Sequence, residues 1–292
     1  MKDNPFLSIV IANYNFGHLL ASTIESILHQ DCDDYEIIII DGGSTDNSVE
    51  VIKQYEQFVS WWISEPDKGQ SNAFNKGFSH AKGKYLTWLN ADDILLPGTI
   101  KAVKKALTAN PEASWATGNL VRFLHSDGKI IEAPWGPNYL PYWLQGPGKI
   151  TVFFGPTTFW SHDAYKKLGP IDENLHLAMD VDYWHRLNMG GYKQVRVNHP
   201  CWGFRMHEES KTAEFGSHEK SEANRLAMKR EKEYIVTKNN YHPKKIWKYI
   251  GLVMRLLDGS ILRALRNKRR IVGEKIQTVY NLNWDLSLNK QR

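Results

Sequence analysis

Within the first 110 residues one unit recurs four times: a continuous apolar run, an abrupt polar loop, then apolar residues at helical spacing. The runs are residues 7–12, 35–40, 58–63 and 85–89. Strands without polar alternation are buried on both faces, as in a parallel sheet covered by helices on each side. Leu19, Leu20, Ile24, Ile27 and Leu28 mark the first intervening helix face, and further helices are expected from Thr45 or Asp46 to about Gln57, over 70–81 and over 97–110. The alternation predicts a doubly wound, mostly parallel α/β sheet with right-handed crossovers.

Each run stops at a loop rich in Asn, Asp or Gly: 13–17, 41–46, 65–69 and 90–93. Ligands of open α/β sheets bind at the carboxyl ends of the strands, so these loops are expected to converge on one rim. Neither GxGxxG nor GxxxxGK[ST] occurs, which argues against a dinucleotide fold and a P-loop NTPase. The last loop, Asn90-Ala91-Asp92-Asp93, sets two carboxylates side by side. Each raises the other's pKa, and neither is buried cheaply. A hard divalent cation relieves that repulsion, and oxygen ligands suit Mg²⁺ or Mn²⁺. The bland alternative is a solvated turn capping the next helix.

Farther along, strands are expected at 113–124, 151–160, 192–197 and 202–206, with helices over 161–168 and 180–189. Residues 134–148 read as a loop over the active face. The 11 Trp and 13 Tyr fit either a cleft that stacks rings and sugars or an ordinary core. Two cysteines, Cys32 and Cys201, make a disulfide framework unexpected and fit a reducing compartment. With no signal-peptide pattern and no run near ~20 apolar residues, the expected location is cytoplasmic, or peripheral on the cytoplasmic face of a membrane.

Charge divides the chain. Residues 241–292 hold 12 Lys and Arg against 3 Asp and Glu, a formal +9, while the chain as a whole is +5. Residues 213–240 alternate charges and read as a solvated helix. Beyond them, Ile246, Ile250, Val253, Leu257, Ile261 and Ala264 form an apolar stripe among basic residues. Such a helix suits an anionic membrane surface or packs on the main domain with its basic face solvated. No fold motif supports nucleic-acid binding. The expected division is 1–212 as the catalytic domain and 213–292 as a basic helical extension.

Six stretches, in order across residues 6–212, resemble the family 2 glycosyltransferases of the GT-A fold. They are Ser8-Ile9-Val10-Ile11-Ala12-Asn13-Tyr14-Asn15, Ile40-Asp41-Gly42-Gly43-Ser44-Thr45-Asp46, the run from Asp67 to Gly77, Trp88-Leu89-Asn90-Ala91-Asp92-Asp93, the run from Met179 to Leu187, and the run from Arg205 to Thr212. The resemblance implies inverting transfer from a nucleotide-diphosphate sugar, most often a UDP-sugar, to an acceptor hydroxyl on a saccharide or lipid-linked glycan. It implies that Ala12, Asn13, Tyr14 and Asn15 line the base and ribose, that Asp41, with Gly42 beside it, meets the uracil edge, and that Asp67, Lys68 and Asn75 lie near the nucleotide. Asn90-Ala91-Asp92 stands where the family has DxD, with Asp92 the metal ligand, Asp93 beside it and Mn²⁺ or Mg²⁺ as cofactor. Asn90 departs from strict DxD and adds no charge.

Asp180 takes the place of the family's catalytic base, within reach of the attacking hydroxyl. At a helix start it serves equally as a cap, and Asp182 is a second candidate for the base. His207 is expected near the metal or diphosphate, and Lys211 near phosphate. The competing readings are a nucleotidyltransferase making nucleotide sugars and a non-catalytic module that binds them. The former calls for a Gly-rich phosphate loop near the N-terminus, where this chain has residues 13–17 instead.

Overall fold

The computed structural model describes residues 4–136, 155–210, 218–240 and 246–288. Strands β1 (Leu7–Asn13), β2 (Tyr35–Asp41), β3 (Trp61–Ser64) and β4 (Tyr85–Asn90) run parallel in the order β3-β2-β1-β4. Helices α1 (Gly17–Leu28), α2 (Ser48–Gln54) and α3 (Gln70–His80) connect them. Successive strand residues point to opposite faces. Ile9, Ile11, Ile37 and Ile39 therefore join Leu20, Ile24 and Ile27 of α1 in one core. Val10, Ile38 and Ile40 join Ala73, Phe74 and Phe78 of α3 in a second. This two-sided burial is why the strands read as unbroken apolar runs. The third strand begins later than expected, because a 3₁₀ turn at Glu56–Phe58 takes the start of its apolar run.

α3 lies so close to β1 that a Cβ on Gly77 would sit 2.2 Å from Val10 Cγ1. Gly77→Ala is expected to destabilise the protein by about 1–3 kcal/mol through overpacking, read as a lower denaturant midpoint at constant slope. An unchanged midpoint would mean that α3 slides freely on the strand.

The sheet continues through β5 (Ile94–Leu95), β6 (Trp115–Leu124), β7 (Ile130–Glu132), β8 (Thr158–Ser161) and β9 (Gln194–Met206), with helices α4 (Thr99–Ala109), α5 (His162–Leu168) and α6 (Met179–Met189). Its path runs β4-β8-β6-β9-β5, with β7 paired to β6. β8 is antiparallel to both β4 and β6. Ser161 caps α5 as expected, its hydroxyl accepting from the Ala164 N–H at 3.1 Å. The two strands expected at 192–197 and 202–206 are one strand, β9, which accommodates Pro200 by shifting register against β6 between Thr117 and Leu120. A proline supplies no ladder N–H, so a bulge lets the strand continue past it. Of the expected strand at 151–160 and the loop at 134–148, residues 151–154 and 137–148 lie outside the described residues.

The C-terminal part consists of α7 (His218–Lys238), α8 (Ile246–Leu257), α9 (Ser260–Ile271) and α10 (Ile276–Val279). The expected solvated helix is α7, and it is docked rather than free. Ile235 is fully buried, and Lys238 Nζ lies 2.6 Å from Asp172. Residues 273–288 return to the sheet. The Ile130 N–H donates to the Glu274 carbonyl at 2.8 Å, and the Gly273 N–H donates to the Ile130 carbonyl at 2.7 Å. Ile276 and Leu286 are buried with Ile94, Leu96 and Phe123. No described helix is long and apolar enough to cross a membrane.

Candidate active site

The carboxyl ends of β1–β4 open on a cavity of about 930 Å³. Ala12, Asn13, Tyr14, Gly42, Asp67, Asn90, Ala91 and Asp92 line it from the first half of the chain, and Asp180, Trp184, Trp202, Met228 and Lys232 from the second. The four expected loops do converge on one rim.

Their convergence depends on polar groups behind the wall. Asn15 adopts φ 57°, a left-handed conformation that asparagine tolerates. From there its Oδ1 accepts from the Thr45 N–H at 2.8 Å, and its own N–H donates to Ser44 Oγ at 2.8 Å. Asp41, expected at a base edge, is fully buried and does not line the cavity. Its carboxylate accepts from Asn13 Nδ2 at 2.7 Å, from the Ser44 N–H at 3.0 Å and from the hydroxyls of Ser44 and Ser64. With its lone pairs filled by the chain's own donors, Asp41 ties three strand-end loops together. Asp67 is the carboxylate that stands at the wall: its Oδ2 is 2.7 Å from where a Cβ on Gly42 would be.

Two further expectations change. Lys68 is exposed and off the cavity, its N–H bonded to Asn72. Asn75 is a bracket between α3 and the loop before α6. It donates to the Ile171 carbonyl and to Glu173, and accepts from the Ile171 N–H at 2.9 Å.

The Asn90–Asp93 turn divides its acidic pair. Asp92 faces the cavity, with its carboxylate 3.0 Å from His207 Nε2. Asp93 points inward and is fully buried. It accepts from Asn90 Nδ2 at 2.9 Å and from the Arg205 N–H at 3.0 Å. Burial first, then the adjacent Asp92 charge, pushes its pKa well above the usual carboxylate range. It is therefore a brace rather than a ligand. Gln70 Nε2, to which the sequence reading gave no role, donates to Asn90 Oδ1 at 2.6 Å.

Arg205 underlies this turn and is fully buried. Its guanidinium donates to the carbonyls of Asp92 and Leu286 and to Ser22 Oγ, and lies over the Phe123 ring. Burial lowers its pKa to about 10. Thr23 Oγ1 adds contacts of 2.7 Å to the carbonyls of Ala91 and Asp93. One fork thus joins the acidic turn, α1 and the C-terminal segment.

Asp180 lies at the first turn of α6 and faces the cavity. Burial pushes its pKa up to about 6, opposed by the Val181 and Gly155 N–H groups and by Lys232. Asp182, the other candidate, is fully buried and paired with Arg186 at 2.9 Å and Lys238 at 3.5 Å, so it has no access to the cavity. The segment leading into α6 is held by α7. The Glu231 carboxylate accepts the N–H groups of His176, Leu177 and Ala178 at 3.0, 2.9 and 2.8 Å. Charge alternation in 213–240 concealed this role.

Asp92 stands on the wall with the His207 imidazole 3.0 Å from its carboxylate. The carboxylate suits Mn²⁺ or Mg²⁺, whereas an imidazole suits a transition metal rather than Mg²⁺. Among the described residues no group of three or more His, Cys, Asp or Glu gathers to hold a metal. Lys211 lies outside the described residues.

Residues 8–169 match the glycosyl transferase family 2 model. An uncharacterised glycosyltransferase of Methanocaldococcus jannaschii is 30% identical over 205 residues, covering 65% of this chain and 67% of its own length. An uncharacterised glycosyltransferase of Nostoc is 39% identical over 100 residues, 33% of this chain and 31% of that protein. The hyaluronan synthase of Pasteurella multocida is 30% identical over 211 residues, 70% of this chain but only 21% of the synthase. The chain thus spans about a third of the Nostoc relative and about a fifth of the synthase. Among solved structures, a mannosyltransferase from Pyrobaculum calidifontis in complex with GDP-Man and Mn²⁺ superposes with a TM-score of 0.58 at 18% identity, covering 91% of this chain and 75% of its own. S. aureus TarS in complex with UDP-GlcNAc gives 0.53 at 13% identity, with 90% and 77% covered. Both share the GT-A type fold.

Proposed function

Because this chain belongs to glycosyl transferase family 2, we propose that it transfers a sugar, with inversion, from a UDP-sugar to a hydroxyl of a saccharide or lipid-linked acceptor in the synthesis of a cell-surface glycan. One observation carries the reading. A metal-type carboxylate, Asp92, and a proton acceptor, Asp180, face the same cavity from opposite halves of the chain. Tyr14 and Asp67 receive the nucleotide on the strand-end rim, with Asn13 and Gly42 shaping the floor. Asp92, with His207 beside it, would hold Mn²⁺ or Mg²⁺, which when bound would supply charge stabilisation for the departing diphosphate. Asp180 takes the proton of the acceptor hydroxyl. Its raised pKa of about 6 leaves it ionised at neutral pH yet basic enough for that task. A module that only binds nucleotide sugars has no use for such a group, and a nucleotidyltransferase lacks its phosphate loop here.

Nucleotide release from UDP-, GDP- and dTDP-sugars, measured with Mn²⁺, with Mg²⁺ and with chelator, tests the reading. Slow hydrolysis of a UDP-sugar, abolished by chelator, is the expected result. Preference for a GDP-sugar would correct the donor and keep the mechanism. No metal-dependent binding of any nucleotide sugar by calorimetry would sink the reading.

A further inference from the structure

Helices α8 and α9 turn outward the residues that a helix on a protein surface ordinarily hides. On α8, Ile250 and Met254 pack against the core. Tyr249, Leu252, Val253, Leu256 and Leu257 form a stripe beside that buried one at helical spacing, and are 71, 51, 53, 56 and 83% exposed. On α9, which follows α8 after a two-residue turn, Leu262 and Leu265 are likewise 69 and 52% exposed. Scattered exposed leucines mean little, but five large apolar residues exposed at helical spacing on one helix mark a contact surface.

The surrounding charge identifies the partner. Residues 246–271 contain seven Lys and Arg and a single acid, Asp258. That acid accepts from the Ser260 N–H at 2.8 Å and lies 3.7 Å from Arg263. Arg266, Lys268, Arg269 and Arg270 are exposed at the end of α9. A second copy would bring the same positive field against this one, which opposes pairing. A nucleic-acid backbone would satisfy the arginines but leave the leucines without a partner. A bilayer rich in anionic headgroups satisfies both, with leucines at the acyl boundary and arginines on phosphate.

The geometry points to the α8–α9 face as a docking surface for an anionic lipid bilayer. This rests on no assumption about the donor. Combined with the proposed function, it brings the cavity to the surface where a lipid-linked acceptor resides. Since Ile250 and Met254 of α8 pack against the buried cluster that includes Trp184 of the cavity wall, docking and the cavity share one body.

The test is co-sedimentation of the full chain with vesicles of phosphatidylcholine, alone or mixed with phosphatidylglycerol. Wild type is expected to sediment with the mixed vesicles and to be released as salt rises toward about 1 M, where the screening length falls to about 3 Å. Leu252→Glu/Leu257→Glu is expected to abolish binding. Arg266→Gln/Arg269→Gln is expected to weaken it roughly 30-fold. Calorimetric nucleotide binding serves as the folding control for both, and the salt series on wild type depends on neither variant. Wild type that stays in the supernatant with both vesicles overturns the proposal. So does equal binding to neutral vesicles. A wild-type dimer that Leu252→Glu/Leu257→Glu makes monomeric, with no vesicle binding, also overturns it and assigns the face to a second copy.

Discussion

Asp180→Asn is expected to lower the rate of sugar transfer roughly 10²–10⁴-fold, the usual contribution of a positioned general base, while nucleotide-sugar affinity is unchanged. The substitution keeps the shape of the side chain and removes its capacity to take a proton. Its pH signature separates this role from a helix cap. Burial raises the carboxyl to about 6, so the ionised form needed for catalysis is present above that pH and lost below it. The wild-type turnover rate should therefore fall about tenfold per unit as pH drops below 6, and the Asn variant's residual rate should lack that limb. A cap-only role predicts a stability loss with turnover and its pH profile intact. Full activity in the Asn variant would leave the cavity without its base, since Asp182 is closed off by Arg186 and Lys238.

Arg205→Met is expected to cost about 3–5 kcal/mol of stability, the range for removing one member of a buried charged network. For a chain somewhat larger than a single small domain, each kcal/mol corresponds to about 2–4 °C, so the melting temperature should drop by roughly 10 °C. The residue left behind fills the volume but satisfies nothing. The Asp92 and Leu286 carbonyls and Ser22 Oγ each lose a donor, and the Asp93 carboxylate loses its nearest cation. Arg205→Lys keeps the charge without the planar fork and should lie between the two. Thermal unfolding beside metal-dependent nucleotide binding reads both consequences. A variant that melts with wild type would show that the acidic turn is held by Thr23 and β5 alone.

The halves of the fold were unequally legible. The strand–loop–helix units up to residue 93 could be read because β1, β2 and β4 are covered on both sides, so burial is written directly in composition, while β3 is a half-buried edge strand. The rim followed from the same periodicity, since every parallel strand ends on the same side. Beyond residue 110 the sheet mixes directions. β9 runs through Pro200 as one strand because a register shift against β6 accommodates it, and that shift is a property of the pair.

Among the site residues, side-chain type indicated chemistry but not facing. Asp41, Asp92, Asp93, Asp180 and Asp182 are all aspartates at strand or helix ends. Asp92 and Asp180 face the cavity, whereas Asp41, Asp93 and Asp182 are sealed among the chain's own donors. Neighbours distant in sequence made the selection: Ser64 for Asp41, Arg205 for Asp93 and Lys238 for Asp182.

By itself the sequence determined the parallel half-sheet, the rim where its loops meet, the family and the carboxylates from which the chemistry is drawn. These follow from local periodicity and residue type, which act over a few residues at a time. Only the tertiary structure decided which carboxylates are braces and which face the cavity. It also decided that Glu231 sets the approach to α6 and that residues 273–288 seal the core beneath the acidic turn. Those outcomes depend on which donors reach each buried oxygen, and the donors arrive from segments up to 183 residues away along the chain.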